Sequence, residues 1–386
     1  MRRAANIIAA LESRVEVTVL AAGDPSAGNA TWAEASQKFL LRRHDRRALL
    51  ADSIEALLRG RPVLLVRSTR VGFPDAFASI LGALQPDLVI LGRPLFGPYI
   101  DKVRAIGARL VIDADESMPK VARELARSSH APVRQRLRAV LEARLILGRL
   151  ERATYPRADQ VWVSSDRERD AFMPFVGLDQ LKVVPNVVDL PDRKPDPVPV
   201  QRVAFVGWYR YPPNEAAALE LVRDVMPAVR AADGPRSLEL IGPGPTRAMI
   251  DAAAAVPDVA IVGEVPEVRS RLRAAGVLVV PVRSGGGTRL KILEAIACGV
   301  PIVSTQLGIE GLDLVPETHV LVAETAGQFA AQIGRLASDP ELVMRLTDHA
   351  FAKARQRYST DVLRKAIDAA LAPSEGSEKR MEGHIT

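Results

Sequence analysis

The sequence predicts an α/β protein built from two doubly wound domains that face a common cleft. Short apolar runs rich in β-branched residues alternate with longer helical patterns along the chain, which is typical of parallel sheets covered by helices on both faces. The alternation is interrupted at residues 191–199, where four prolines fall within nine residues. The length of 386 residues suits two domains of roughly 150 to 200 residues each.

The first half contains apolar runs that predict parallel strands separated by helices. These predicted strands are Val15–Leu20, Val63–Val66, Leu88–Leu91, Leu110–Ile112, Val161–Val163 and Lys182–Val184. Residues 3–13 have a helical pattern and precede all of them. A doubly wound domain normally opens with a strand and a Gly-rich turn. We therefore expect either that this domain has lost its first strand or that the start codon is misplaced and the strand lies before Met1.

The second half repeats the alternation after the Pro-rich segment. Its predicted strands are Val203–Val206, Leu238–Ile241, Val259–Val262, Val277–Val280, Ile302–Ser304 and Val320–Val322. The resulting prediction is an N-terminal domain (1–190), a linker (191–200), a C-terminal domain (201–360), a C-terminal helix (361–373) and a disordered polar tail (374–386). The carboxyl ends of both sheets can then face one ligand.

Composition narrows the class of protein. Residues 1–190 hold 29 Lys/Arg against 22 Asp/Glu, whereas residues 191–386 hold 23 against 24, so the basic excess belongs to the first half. That half could meet anionic lipid or a phosphorylated acceptor, or it could be an Arg-rich solvated surface. Aromatic residues make up 4% of the chain, which argues against nucleic-acid binding. The single cysteine, Cys298, and the absence of an apolar run of ~18 residues suggest a cytoplasmic protein.

The segment from Ser284 to Glu294 carries the clearest chemical signal. A strand is followed by Gly285–Gly287, whose backbone N–H groups can approach a ligand closely, and then by a helix with Thr288 as the expected N-cap. A helix N-terminus beside Arg289 and Lys291 suits a diphosphate. Glu294, further along the helix, could accept hydrogen bonds from the two hydroxyls of a ribose.

Each feature also has a purely structural interpretation. Three glycines can form a plain tight turn, and Lys291 with Glu294 can form a surface ion pair three residues apart. The order of strand, triple glycine, Arg-x-Lys and helical Glu favours the anion site over these alternatives. No arrangement of the five histidines suggests a metal site.

The segment from Gly285 to Leu312 resembles the donor-site signature of family 4 glycosyltransferases, and is most similar to the bacterial group 1 sugar transferases with three consecutive glycines. Pro185–Asp189, Phe205–Asn214, Leu240–Gly244 and Val262–Val265 are similar to other family motifs. The resemblance covers residues 158–360 well and residues 3–157 loosely. It implies a GT-B fold of two Rossmann-like domains and a retaining transferase of the hexosyltransferase type, as in polysaccharide biosynthesis.

The resemblance also implies roles for individual residues. Gly207 would lie near the diphosphate, Arg289 and Lys291 would bind it, and Glu294 would bind the ribose. The backbone at Glu264 and Val265 would hold the base, and Glu310 and Gly311 would lie near the sugar or the diphosphate. The complete donor-binding set is Gly207, Glu264, Val265, Gly285, Gly286, Gly287, Thr288, Arg289, Lys291, Glu294, Glu310 and Gly311.

The sequence departs from the family pattern at three places. Gly286 stands where many members carry a second glutamate, a loss shared by triple-Gly members. Asp115 stands where active members commonly carry a histidine; it is the candidate catalytic residue, for orienting a sugar hydroxyl, although a strand-end or capping acid would look the same. The family's first strand and Gly-rich acceptor loop are absent before residue 3.

We therefore expect a metal-independent transferase that takes a UDP- or GDP-type sugar and a glycan or lipid-linked acceptor. The Arg-rich segment Val133–Arg152 could bring the basic half to the inner membrane face, although a helix covering a sheet is the favoured interpretation. Two alternatives remain open: a non-catalytic protein that binds a nucleotide sugar, and a nucleotide-sugar epimerase.

Overall fold

The computed structural model describes residues 2–23, 36–40, 72–92, 94–115, 117–127, 147–285 and 288–372, with residues 55, 66, 69, 133, 136, 137 and 140 between them. The strands of these ranges form three sheets in which every strand pair is parallel. Within the same ranges, no helix has both the length and the apolar composition needed to cross a membrane.

The strands are β1 (Leu20–Gly23), β2 (Gln37–Leu40), β3 (Leu88–Gly92), β4 (Arg109–Asp115), β5 (Gln160–Val163), β6 (Leu181–Val183), β7 (Arg202–Val206), β8 (Ser237–Ile241), β9 (Val259–Gly263), β10 (Val277–Val280), β11 (Ile302–Ser304) and β12 (Leu321–Val322). The main helices are α1 (Arg2–Glu12), α2 (Phe73–Leu84), α3 (Ile100–Ala105), α4 (Met118–Arg127), α5 (Gly148–Thr154), α6 (Asp166–Phe172), α7 (Pro212–Glu220), α8 (Met226–Asp233), α9 (Arg247–Ala254), α10 (Val268–Arg273), α11 (Leu290–Ala297), α12 (Ala326–Ser338), α13 (Pro340–Arg357) and α14 (Thr360–Leu371). A π-helical stretch, Leu221–Val225, joins α7 to α8.

The N-terminal sheet has the order β3-β4-β5-β6. Its central strands are apolar on both faces because helices cover both sides. Leu110 and Ile112 of β4 pack into one core with Phe172 of α6. Val111 and Trp162, on the opposite face, pack into another. A separate pair, β1 and β2, precedes this sheet in the chain.

Some of the predicted N-terminal helices and strands are confirmed, and others are wrong. The predicted helix at residues 3–13 is confirmed as α1, and β3, β4, β5 and β6 follow the predictions within a few residues. The prediction for Val15–Leu20 is wrong, because the strand begins only at Leu20. Strand β2 (Gln-Lys-Phe-Leu) has no apolar run and was not predicted. Of Val63–Val66 only Val66 is among the described residues, and it is helical.

The C-terminal sheet has the order β12-β11-β10-β7-β8-β9, and all its strands were predicted. All four residues of β10 are buried. Strand order reverses between the neighbours β7 and β10, so their carboxyl ends form the switch point at which open α/β sheets bind ligands. The residues after Val206 and after Val280 therefore lie where a ligand is expected to bind.

Two chain segments join the two sheets. Residues 191–199 contain no helix or strand and lie against the C-terminal sheet, because a Cβ atom on Gly276 would come within 2.4 Å of the Pro199 carbonyl oxygen. Helix α14 returns to the N-terminal sheet, where Leu363 and Ile367 pack with Trp162. The predicted tail at 374–386 lies outside the described residues.

Candidate functional site

The loop after β10 leads into α11 at the switch point. Gly285 has a φ of 100°, and a Cβ atom there would lie 2.9 Å from the Tyr211 hydroxyl oxygen, so glycine permits this close approach. Arg289 folds back on the same loop and donates to the carbonyl oxygens of Gly285 and, at 3.4 Å, Ser284. Gly286 and Gly287 lie outside the described residues.

Helix α11 begins one residue later than expected. Its N-cap is Arg289, which makes no side-chain capping bond, so the prediction of Thr288 as N-cap is wrong. The physical reason is that the Thr288 hydroxyl oxygen accepts a hydrogen bond from the Asn186 amide and caps no N–H group of α11. The first N–H groups of α11 therefore lack a side-chain cap and can receive an anion.

Lys291 lies in the first turn of α11 and is partly buried. Its Nζ atom lies 2.8 Å from Oδ1 of Asn214 and 4.1 Å from the centroid of the Phe205 ring. Burial, together with the positive charge of Arg289, lowers the pKa of the Lys291 amine well below its ordinary value. Among the described residues no carboxylate forms an ion pair with it. A cation in this situation gains from a bound anion.

Gly207 follows β7 and lies at the same carboxyl edge of the C-terminal sheet as the loop after β10. Its amide donates to the Ile241 carbonyl oxygen at 3.0 Å. A Cβ atom on Gly207 would lie 2.9 Å from Cγ of Asn214, whose Nδ2 atom donates to the Trp208 carbonyl oxygen at 3.0 Å. Asn214 thus joins the loop after β7 to Lys291. Sequence reasoning gave Asn214 no role, although it lies in a segment that resembles a family motif.

Glu294 borders a cavity of about 290 Å³. The cavity is lined by Asn6, Val187, Val188, Asp189, Pro266, Glu267, Val268, Arg269 and Glu294. Glu294 is 8% exposed, and its Oε2 atom accepts a hydrogen bond from Nε of Arg269 at 3.0 Å. Glu264 is exposed and Val265 is half-buried; both immediately precede the lining residues without belonging to them. Nothing in the sequence pointed to Arg269.

Glu310 and Gly311 lie on the loop after β11. The Glu310 carboxylate pairs with Lys120 of α4 at 3.4 Å and with Arg167 of α6, so both cations come from the N-terminal half. Gly311 has a φ of 78°, and a Cβ atom there would lie 3.3 Å from Cγ2 of Thr288 and 3.4 Å from the Ser165 hydroxyl oxygen. Gly311 therefore lies beside Thr288, whereas Glu310 is engaged across the cleft.

Asp115 ends β4 and reaches the same cleft from the N-terminal side. Its φ of 56° is left-handed, and the register of β4 with β5 shifts between Asp113 and Asp115. Oδ1 of Asp115 lies 3.4 Å from Nδ2 of Asn186, the amide that also contacts Thr288. The candidate catalytic residue and the loop after β10 therefore share one neighbour. The sequence did not reveal this link.

Metal-binding side chains do not gather in this cleft. Among the described residues, no group of three or more His, Cys, Asp or Glu side chains could hold a metal ion. The charge that acts on Lys291 is the positive charge of Arg289, and the helix N-terminus adds further positive character. This arrangement can hold a diphosphate through the protein's own cations and N–H donors.

Comparisons with known proteins agree with this architecture. Residues 200–339 match the family model described as "Glycosyl transferases group 1". A comparison with curated protein sequences gives no significant match. The fold is similar to that of HepE from Anabaena, solved in complex with UDP and glucose, with a TM-score of 0.63, 14% identity and coverage of 95% of this chain and 94% of that one.

Two further structures share the fold. Sucrose-phosphate synthase from Thermosynechococcus elongatus has a TM-score of 0.60 and 18% identity, with 90% of this chain and 84% of that one covered. TarM, from S. aureus, has a TM-score of 0.58 and 14% identity, with 76% of this chain covered. The match spans 57% of the length of TarM. These likenesses confirm the predicted GT-B fold of two Rossmann-like units facing a cleft.

Proposed function

We propose that the chain is a glycosyltransferase that moves a hexose-type sugar from a nucleoside diphosphate sugar to a glycan or lipid-linked acceptor. The observation that carries the proposal is Lys291, a desolvated cation beside the uncapped N-terminus of α11, with no ion-pair partner among the described residues. A diphosphate supplies the missing negative charge. The match of residues 200–339 to a glycosyltransferase family model, together with the UDP complex of HepE, a protein of the same fold, supports this ligand class.

The proposed chemistry needs no resident metal. Lys291, Arg289 and the N–H groups of α11 offset the charge that grows on the departing diphosphate. Glu294 binds the ribose at the cavity, and the base lies toward Glu264 and Val265. Asp115 orients a hydroxyl of the sugar from the opposite side of the cleft. We further propose a retaining course, in which the leaving phosphate takes the acceptor's proton on the same face of the sugar.

The basic excess of residues 1–190 suits an acceptor carried on an anionic surface, and we propose a cytoplasmic enzyme that contacts the inner membrane face peripherally. Within the described part of Val133–Arg152, Val133 and Leu137 are exposed, consistent with such a contact.

Calorimetry and thermal melts test the proposal with UDP, GDP and ADP and their sugars. A ligand at 100 times its dissociation constant should stabilise the wild type by ~2.7 kcal/mol. Glu294→Ala should weaken binding, whereas Glu341→Ala, a change at an exposed position of α13, should not. Incubation of the donor that binds with an acceptor pool, followed by NMR of the anomeric proton, then tests transfer and retention. No binding by the folded wild type would refute the proposal, and binding without transfer would favour the non-catalytic alternative.

A further inference from the structure

A buried guanidinium at the start of α1 organises the N-terminal side of the cleft. Arg3 is 4% exposed, and its Nε and Nη2 atoms donate to the Asp113 carboxylate at 2.9 Å and 2.6 Å. Its Nη1 atom donates to the Val184 carbonyl oxygen at 2.7 Å and to Oδ1 of Asn186 at 3.2 Å. Burial alone would lower the pKa of Arg3, but the charges of Asp113 and Asp115 outweigh it and raise that pKa, so the group stays cationic.

This guanidinium fixes the orientation of the Asn186 side chain. Arginine can only donate hydrogen bonds, so the amide must present its oxygen to Arg3. The NH₂ group of Asn186 then points away, where it donates to the Thr288 hydroxyl oxygen and lies 3.4 Å from Oδ1 of Asp115. Asn186 itself is 3% exposed, so water does not readily replace these partners.

The orientation of Asn186 decides what the Thr288 hydroxyl can do. A hydroxyl has one hydrogen to donate and two lone pairs to accept with. Because Asn186 donates to Oγ1, the hydrogen of Thr288 is left to point toward another acceptor. Gly311, with φ of 78°, lies against the methyl group of Thr288, because a Cβ atom there would come within 3.3 Å of Cγ2 of Thr288.

We propose that Arg3 and Asn186 are positioning residues that turn the Thr288 hydroxyl into a hydrogen-bond donor to the diphosphate of the donor sugar. This inference rests on the function proposed above. The hydrogen bonds from Arg3 to Asn186 and from Asn186 to Thr288 all run in one direction. Each group polarises the next, so part of the positive character of Arg3 reaches the anion. Residues from α1, from the segment after β6 and from the loop after β10 thus act as one unit.

This series of hydrogen bonds makes a specific prediction for ligand binding. Thr288→Val, which keeps the shape and removes the hydroxyl, should weaken binding of the tightest of UDP, GDP and ADP by about 10-fold, the effect of one hydrogen bond to a charged group. Thr288→Ser should retain most of the affinity. Asn186→Ala should weaken binding similarly, and Asn186→Asp should do so at least as strongly because a carboxylate cannot donate to Thr288 and repels Asp115.

A double-mutant cycle separates this role from a purely structural one. If the proposal holds, Asn186→Ala combined with Thr288→Val costs little more affinity than either change alone, because both interrupt the same series of hydrogen bonds. Arg14→Ala is the matched control, because Arg14 forms an exposed ion pair with Asp368 close to the end of α1 and should leave affinity unchanged. Circular dichroism and thermal melts confirm that each variant is folded.

The outcomes distinguish the two proposals. No binding of UDP, GDP or ADP by the wild type overturns the proposed function and this inference with it. Wild-type binding that Thr288→Val leaves unchanged, or fully additive losses in the cycle, overturn the inference alone. Loss of affinity in Thr288→Val, its recovery in Thr288→Ser and non-additivity with Asn186→Ala together establish it.

Discussion

The Nε atom of Arg269 lies 3.0 Å from Oε2 of Glu294, so the carboxylate assigned to the ribose already has a cationic neighbour. Arg269 also contacts the end of the N-terminal half, because its Nη2 atom donates to the Asp189 carbonyl oxygen at 2.7 Å. The guanidinium therefore orients the carboxylate at the edge of the cavity and connects it to the segment between the sheets.

Replacing Arg269 should weaken nucleotide binding less than replacing Glu294. We expect Arg269→Ala to lower the affinity for the bound nucleoside diphosphate by about 5-fold, through lost orientation, and Glu294→Ala by about 10- to 100-fold, through lost hydrogen bonds to the ribose. Calorimetry measures both, with Arg273→Ala of the same helix as control. Tighter binding by Arg269→Ala would instead mean that Arg269 competes with the ribose.

Lys291 should strengthen the binding of a nucleoside diphosphate and lower the stability of the ligand-free protein. We expect Lys291→Met to reduce nucleoside diphosphate affinity by about 100-fold or more and to stabilise the ligand-free protein by about 1 kcal/mol, because a desolvated cation without a carboxylate partner is replaced by an apolar side chain. Calorimetry and thermal melts give the two numbers. Lys353→Met, at an outlying ion pair with Asp313, is the control and should leave affinity unchanged. Lower stability together with full affinity would contradict the assignment.

Gly242 should be intolerant of any side chain. A Cβ atom there would lie 1.9 Å from the Gly207 carbonyl oxygen, and its φ of 137° disfavours other residues. We expect Gly242→Ala to cost at least about 3 kcal/mol in unfolding free energy. Gly263→Ala is the matched control, because that φ of 77° is also positive but nothing lies within 4 Å of the new Cβ, so about 1 kcal/mol is expected. Equal losses in urea titrations would show that strain, not contact, governs Gly242.

Glu151 should make stability depend on pH. Burial raises the pKa of this carboxyl to about 7, although it accepts hydrogen bonds from the Met118 amide and the Ser117 hydroxyl. Its folded-state pKa exceeds the unfolded value, so the proton stabilises the fold at low pH and that contribution is lost as pH rises from about 4.5 to about 7.

The measurement compares wild type with Glu151→Gln, which stays neutral. The difference in unfolding free energy between them should shift by about 3 kcal/mol in favour of the variant over this pH range. Glu12→Gln, an exposed position of α1, should show no such shift. Parallel curves for wild type and Glu151→Gln would show that the carboxyl is ionised throughout.

Patterns along the chain predicted the strands of the C-terminal sheet because each is a buried apolar run with clear turn residues around it. They failed at β2, where the strand Gln37–Leu40 begins with two polar residues and belongs to a two-stranded sheet. They also misplaced β1, since most of Val15–Leu20 precedes the residues that pair, which begin at Leu20. Short strands outside the main sheets carry too few buried positions for periodicity to reveal them.

The candidate site likewise has a part that the sequence predicted and a part that it did not. Arg289, Lys291 and Glu294 lie within six residues of one another, so their spacing on a helix was visible in the sequence. Contacts between distant segments were not: Arg3 meets Asp113 across 110 positions, and Lys291 meets Asn214 across 77. Only the fold brings such pairs together, and single-sequence periodicity holds no information about them.

Helix α14 has a consequence for how the protein is made. Its residues Leu363 and Ile367 cover Val111 and Trp162 of the N-terminal sheet, and Arg109 donates to the Leu371 carbonyl oxygen at 2.8 Å. Helix α14, the last of the described helices, therefore completes a sheet whose strands are synthesised well before it. At bacterial or eukaryotic elongation rates, residues 1–190 wait roughly 10 to 35 s for that cover. During this interval the part of this apolar face that α1 does not cover is open to chaperones, and a chain that stops before residue 360 never closes it.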